Sequence, residues 1–224
     1  LKNLGRFRIL ASRQLRKLQK KEMSLPEAAR EKETIVRLLM NNSHSLLTTG
    51  NRLKILNNGY KTVNAIFEAL ENAVHHIHLE YYIVEDDEVG NRLKNLLIRK
   101  SREGVEVRVI VDDVGSWGLS KRFLRELREA GVDIQSFMEV RFPRLTPRVN
   151  YRNHRKIAIV DGEIGFTGGI NFADRYLRGI EKIGVLVVQH EKRDYFDEVD
   201  VIALRTAASQ LAGAIENARL LMSM

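Results

Sequence analysis

Between Lys54 and Met138, short runs of strand-forming residues alternate with amphipathic segments, and this alternation restricts the chain to a sheet crossed by helices. Lys54–Asn57 reads as a short strand ended by the turn pair Asn58-Gly59. Tyr60–His75 sets Val63, Ile66, Phe67, Leu70 and Val74 three or four residues apart, the spacing of one helix face. His76–Val84 (HIHLEYYIV) is short and rich in strand formers. Asp87 caps a second helix to Arg102, with Val89, Leu93, Leu96 and Leu97 on its apolar face and Gly104 as its stop. Val105–Val111 is a strand, Ser120 opens a helix through Ala130 that Gly131 ends, and Ile134–Met138 is a strand again. Crossover units of this kind predict an α/β fold, a mostly parallel or mixed sheet with helices on both faces. No internal repeat is present.

A chain of 224 residues with 44% hydrophobic content can build a core, which excludes a disordered or collagen-like chain. The absence of cysteine excludes disulfides, thiolate metal sites and cysteine nucleophiles. No apolar run approaches the ~18 residues of a membrane-spanning helix. The chain begins at Leu1 and not Met, and is expected to be part of a longer protein. The net charge of +8 is concentrated at the start. Residues 1–25 hold Lys2, Arg6, Arg8, Arg13, Arg16, Lys17, Lys20 and Lys21 against the single acid Glu22. Such an arm suits anionic lipid, at ~1 kcal/mol per basic residue near the surface. It would also attract nucleic acid, but no aromatic-interleaved basic platform accompanies it, so nucleic acid is not the expected partner. The expected division is a basic leader and connector over 1–43, a catalytic half over 44–180, and a C-terminal strand and long helix over 181–224.

The chemistry is concentrated in residues 139–171. Pro143 and Pro147 mark an irregular loop that also carries Arg141, Arg144, Arg148 and Arg152, and guanidiniums entering a candidate catalytic strand suit phosphate binding. In HRKIAIVDGEIGFTGGIN (154–171), His154 and Lys156 lie two apart on one side of an extended run. Asp161-Gly162 turns the chain into Ile164–Thr167, and Gly168-Gly169 with Asn171 follow. Imidazole, ammonium and carboxamide brought to one point suit metal-free phosphoryl chemistry. The imidazole attacks phosphorus, and the other two stabilise the oxygens on which charge accumulates.

HxK, four residues, Asp, six residues, then Gly-Gly-x-Asn resembles the signature of the phospholipase D superfamily. The stretches IHLEYYIVEDDEVGNRL (77–93), VEVRVIVDDVGSWGLSKRFLRELREAGV (105–132), FPRLTPRVNYRNHRKIAIVDG (142–162) and GFTGGINFADRYLRG (165–179) narrow it. Residues 1–179 resemble the amino-terminal catalytic half of bacterial cardiolipin synthases. The resemblance implies that His154 is the nucleophile or its acid–base partner, Lys156 and Asn171 are phosphate ligands, and Asp161 is a supporting residue of the catalytic motif. It implies transfer of a phosphatidyl group from one phosphatidylglycerol to another without cofactor or metal, at the cytoplasmic face of the bacterial membrane. Arg148, Arg152, Gly168, Gly169, Glu80 and Tyr82 complete the phosphate- or substrate-binding candidates.

The sequence also departs from that family. Members bring two such motifs together, and His44, His75, His76, His78 and His190 lack the partner spacing of a second one. The chain is therefore half a site. It is completed by dimerisation or by further sequence, or it is a homodimeric phosphodiesterase or nuclease, or an inactive interaction module. Residues 182–224 resemble the end of a GAF domain, which places a seam near Gly179–Lys182. The superfamily resemblance implies a carboxylate after the Gly-rich segment that orients the imidazole, and Glu181, ten residues beyond Asn171, is the candidate. Val201, Leu204, Ala208, Leu211, Ile215, Ala218 and Met222 form a stripe in the terminal helix, for packing on the sheet or for dimerisation. His76, His78, Glu80 and Tyr82 share a strand face, where the histidines are expected to be satisfied core residues and not metal ligands. Trp117, in Gly115-Ser116-Trp117-Gly118, either contacts ligand or seals the core.

Overall fold

The computed structural model describes residues 12–17, 32–43, 50–137, 152–177 and 185–189, with Ile9, Lys20 and Arg30 singly. Residues 12–17 are helical, and the chain then runs α1 (Glu33–Ser43), β1 (Arg52–Leu56), α2 (Gly59–Glu71), β2 (His76–Tyr81), α3 (Glu88–Arg102), β3 (Glu106–Asp112), α4 (Lys121–Glu129), β4 (Asp133–Phe137), β5 (Lys156–Val160), β6 (Ile164–Gly168) and β7 (Val185–Gln189). The strands form one sheet in the order β1-β7-β6-β5-β2-β3-β4. β2, β3 and β4 are parallel, as the two crossover helices require, and every other pairing is antiparallel, which makes the sheet mixed. β7 pairs with both β6 and β1, so the sheet extends past Gly179–Lys182, where the sequence predicts a seam.

The core lies between this sheet and the helices. Register places Ile77 opposite Val160 and Leu79 opposite Ala158, and Val107 and Val109 follow in β3. These join one cluster with Val63, Ile66, Phe67 and Leu70 of α2, Leu93, Leu96 and Leu97 of α3, and Phe123 and Leu127 of α4. The three helices pack side by side, α2 on α3 and α3 on α4. The ends of α3 and α4 are where the sequence puts them. Asp87 and Ser120 accept from Gly90 N and Phe123 N, and Gly104 and Gly131 take the left-handed conformation after α3 and α4.

Two elements are shorter than their periodicity predicts. α2 stops at Glu71, and Val74 is 58% exposed instead of facing the core. The reason is Asp161, whose carboxylate accepts from Val74 N, His75 N and His76 N at 2.8–2.9 Å and so takes backbone donors that a longer helix would use. β2 ends at Tyr81: Tyr82 N makes a last bond in the β2–β5 register, and the next two N–H groups turn to side chains. Tyr82 N donates to Arg155 O, Ile83 N to Asn171 Oδ1, and Val84 N to Ser116 Oγ. His76 and His78 are half-buried and not core residues. His76 meets His75 with the two Nδ1 atoms 2.7 Å apart, and His78 Nε2 is 4.0 Å from Glu106. They stand at the far end of β2 from Tyr82. Trp117 is 63% exposed, so it does not seal the core.

Candidate active site at the end of strand β2

His154, Lys156 and Asn171 reach the same short segment, Tyr82–Ile83. The His154 imidazole stacks on the Tyr82 ring, with centroids 4.1 Å apart and planes 26° apart. Lys156 Nζ lies 5.0 Å from the centroid of that ring and donates to His154 O at 2.6 Å. Asn171, 2% exposed, holds Ile83 N through its Oδ1 at 3.1 Å. Phe172 N donates to Ile83 O and Glu85 N to Phe172 O, so the stretch after the Gly-Gly pair runs along the chain leaving β2. The sequence alone brings an HxK strand and an Asn loop close. The crossing of β2 between them is what makes a common site.

His154 is exposed and Asn171 buried, with Lys156 between these extremes. Burial pulls the Lys156 ammonium down from its ordinary 10.5 to about 8, and the nearby Asp112 carboxylate opposes the shift. A cation held in this way, short of ligands and close to an exposed imidazole, has more to gain from a phosphodiester than a solvated lysine.

Below the site, carboxylates fix backbone. Glu80, 5% exposed, accepts from Asn153 Nδ2 at 2.6 Å and from Arg155 Nη1 at 3.3 Å. It therefore holds the turn that delivers His154. Asp112, 1% exposed, accepts from Val114 N, Gly115 N and Asn153 N, tying the loop after β3 to the same turn. Ser116 Oγ donates to Tyr82 O and accepts from Val84 N. At Gly115 an added Cβ would stand 2.2 Å from Tyr82 O and 2.7 Å from its ring, so only glycine allows the tyrosine its place. Asp112, Asn153, Gly115 and Ser116 are absent from the sequence-derived site. Asp-Asp after a strand and Gly-Ser before Trp117 were the available signals.

Asp161 stands apart from the other three residues of the motif. All of β5 separates it from Lys156, roughly 16 Å at the rise of a strand. Its carboxylate is occupied by the three N–H groups of residues 74–76. Burial raises its pKa, but those donors outweigh burial and hold it below the ordinary 3.8. Asp161 and Gly162 both have positive φ, 53° and 64°, as a type I′ hairpin turn between β5 and β6 demands. The motif groups Asp161 with His154, Lys156 and Asn171 as a supporting residue, and in the structure the contacts of its carboxylate are to the backbone of residues 74–76. Gly168 ends β6 and Gly169 is exposed beside it, while Arg152 is half-buried next to Asn153. Arg148, Glu181 and the expected C-terminal helix with its apolar stripe lie outside the described residues. Among the described residues, no group of three or more His, Asp or Glu side chains is arranged to hold a metal ion, and no helix is long and apolar enough to cross a membrane.

An α/β sheet that gathers His, Lys and Asn at one strand end is the arrangement of a phospholipase D-like domain. Residues 66–200 match the family model described as "Cardiolipin synthase, PLD-like domain", and the chain belongs to this family. It is similar to the cardiolipin synthase of Geobacillus sp. (strain WCH70), with 56% identity over 124 residues that cover 55% of this chain and 25% of the relative. It is also similar to that of Alkalihalophilus pseudofirmus, with 46% identity over 159 residues that cover 71% of this chain and 32% of the relative. The chain thus matches a quarter to a third of the length of these relatives. Among solved structures, the phospholipase D family member Nuc from Salmonella typhimurium shares the fold at a TM-score of 0.50 and 16% identity, covering 70% of this chain and 93% of Nuc.

Proposed function

We propose that this chain carries one half of a phosphatidyl-transfer site of the cardiolipin synthase type. His154 attacks the phosphorus of a phosphatidylglycerol. A nitrogen–phosphorus bond forms, the phosphorus–oxygen bond to glycerol breaks, and glycerol leaves with a proton supplied by the histidine of a second half. A hydroxyl of another phosphatidylglycerol then attacks the phosphohistidine, gives its proton to that second histidine, and frees His154. Lys156 and Asn171 bind the non-bridging oxygens, and the Lys156 ammonium exchanges the His154 carbonyl for phosphate. Arg148, Arg152, Gly168 and Gly169 are the further candidates for phosphate or substrate binding, and Glu181 is the candidate for orienting the imidazole. Glu80 and Tyr82 act by holding His154 in place.

The convergence of His154 and Lys156 on the Tyr82 ring supports this reading most. The partner half is a second copy of the chain or further sequence of a longer protein. The basic leader draws the chain to the anionic cytoplasmic face of the bacterial membrane. In this reading residues 181–224 are a GAF-like C-terminal fragment following the catalytic half. The test is product analysis on vesicles of head-group-labelled phosphatidylglycerol. Release of labelled glycerol with formation of a four-chain lipid is expected. Phosphatidic acid as the only lipid product would overturn transfer in favour of hydrolysis, and no release of glycerol in the presence of a second half would mark an inactive module.

A further inference from the structure

Trp117 is the one tryptophan of the chain, and a 63% exposed indole is unusual for so large an apolar ring. Its loop is firmly built. Asp112 Oδ1 holds Val114 N and Gly115 N, Ser116 N donates to Asp112 O, Trp117 N to Val114 O, and Leu119 N to Ser116 O. The same loop presses Gly115 against Tyr82, whose ring carries the His154 imidazole. The exposed indole is therefore presented on a fixed support at the rim of the half-site. Gly118 beside it is exposed, as is Lys121, and Arg122 is exposed although paired with Glu126.

We propose that Trp117 is an interfacial anchor that enters the headgroup layer of an anionic bilayer and seats the mouth of the His154 site against it. This rests on the reading that the substrate is a membrane phospholipid. Drawing such a lipid out of the bilayer costs about 0.8 kcal/mol for every CH₂ exposed, so the site has to come to the phosphodiester at headgroup depth. Tryptophan is the side chain that favours this depth, and lysine and arginine next to it add attraction to anionic headgroups. The anchor differs from the basic leader in kind. The leader supplies charge, whereas Trp117 sets depth and orientation at the site itself.

Because no other tryptophan is present, the emission of the whole chain reports on this one residue. The chain is mixed with vesicles of phosphatidylglycerol and phosphatidylcholine, with and without bromine on the acyl chains near the headgroup. The expected result is a blue shift and quenching by the brominated lipid. Trp117→Ala is expected to weaken partitioning roughly tenfold while a monodisperse short-chain phosphatidylglycerol still labels His154. Vesicles that bind the chain without changing its emission, or no vesicle binding at low salt, would overturn the proposal. So would a lipid-independent shift that grows with protein concentration, since a second copy would then cover the indole. Equal loss of labelling by the short-chain lipid would overturn it as well, because Trp117 would then belong to the substrate pocket. Failure of the phosphatidyl-transfer reading is seen separately, as no labelling of His154 by any lipid while the emission still responds to vesicles.

Discussion

Lys156 and Asp161 belong to one motif, yet their environments put opposite demands on them. Burial brings Lys156 to about 8, so the charged amine is held at a cost that is full below that pH and relieved as pH rises towards its unfolded value of 10.5. Its binding role has the reverse dependence, because the ammonium that would hold phosphate is lost through the same range. Binding of a soluble phosphodiester, followed by calorimetry, is expected to weaken as pH rises through about 8, and Lys156→Arg to remove that step because guanidinium stays charged. Asp161 is depressed below 3.8, so its contribution to stability is present above that value and lost as pH falls through its lower folded pKa. Asp161→Ala leaves three N–H groups without their acceptor. Denaturant unfolding should show a loss of about 3 kcal/mol, on the scale of hydrogen bonds to a charged group, partly offset by water at the exposed Val74 and His75. Phosphate binding per folded molecule should be unchanged.

At the scale of elements, the end of β2 decides the site. Tyr82 N makes the last bond of the β2–β5 register, to Arg155 O, and the next two N–H groups, on Ile83 and Val84, leave the ladder for Asn171 and Ser116. The loop after β3 then locks the result through Gly115 and Ser116. Gly115→Ala is expected to fold, to shift Tyr82, and to slow phosphohistidine formation by roughly tenfold to a hundredfold, with much less effect on KM, since a small misplacement of a nucleophile is costly. Equal loss of KM and kcat would instead assign Gly115 to substrate binding. The helices, their caps and the strand alternation were legible in the sequence because they depend on local spacing and on single capping residues such as Asp87 and Ser120. His154, Lys156 and Asn171 were legible as a pattern along the chain. What spacing does not carry is contact between distant residues. The early stop of α2 depends on Asp161, almost ninety residues on. The seat of His154 depends on Tyr82, and the seat of Tyr82 on Gly115. A motif places Asp161 beside His154 in sequence, while an extended strand puts it at the opposite end of β5.

For the whole molecule, one imidazole and one ammonium make half of an acid–base pair, so the proposed turnover needs a second half. If a second copy supplies it, sedimentation at micromolar concentration should show a dimer, and a monomer would leave only further sequence as its source. The leader predicts a separate dependence. Reversal of Lys17, Lys20 and Lys21 to Glu should weaken binding to anionic vesicles, with affinity of the unmodified chain falling as salt rises, and equal binding to neutral and anionic vesicles would contradict it. The most direct measurement on the account as a whole is capture of the covalent intermediate. The chain is incubated with acyl-labelled phosphatidylglycerol, quenched under conditions that preserve phosphoramidates, and mapped by mass spectrometry. The account predicts an acid-labile phosphatidyl group on His154 that is absent from His154→Gln. A label on another residue, or none on His154 while free glycerol is released, would contradict it.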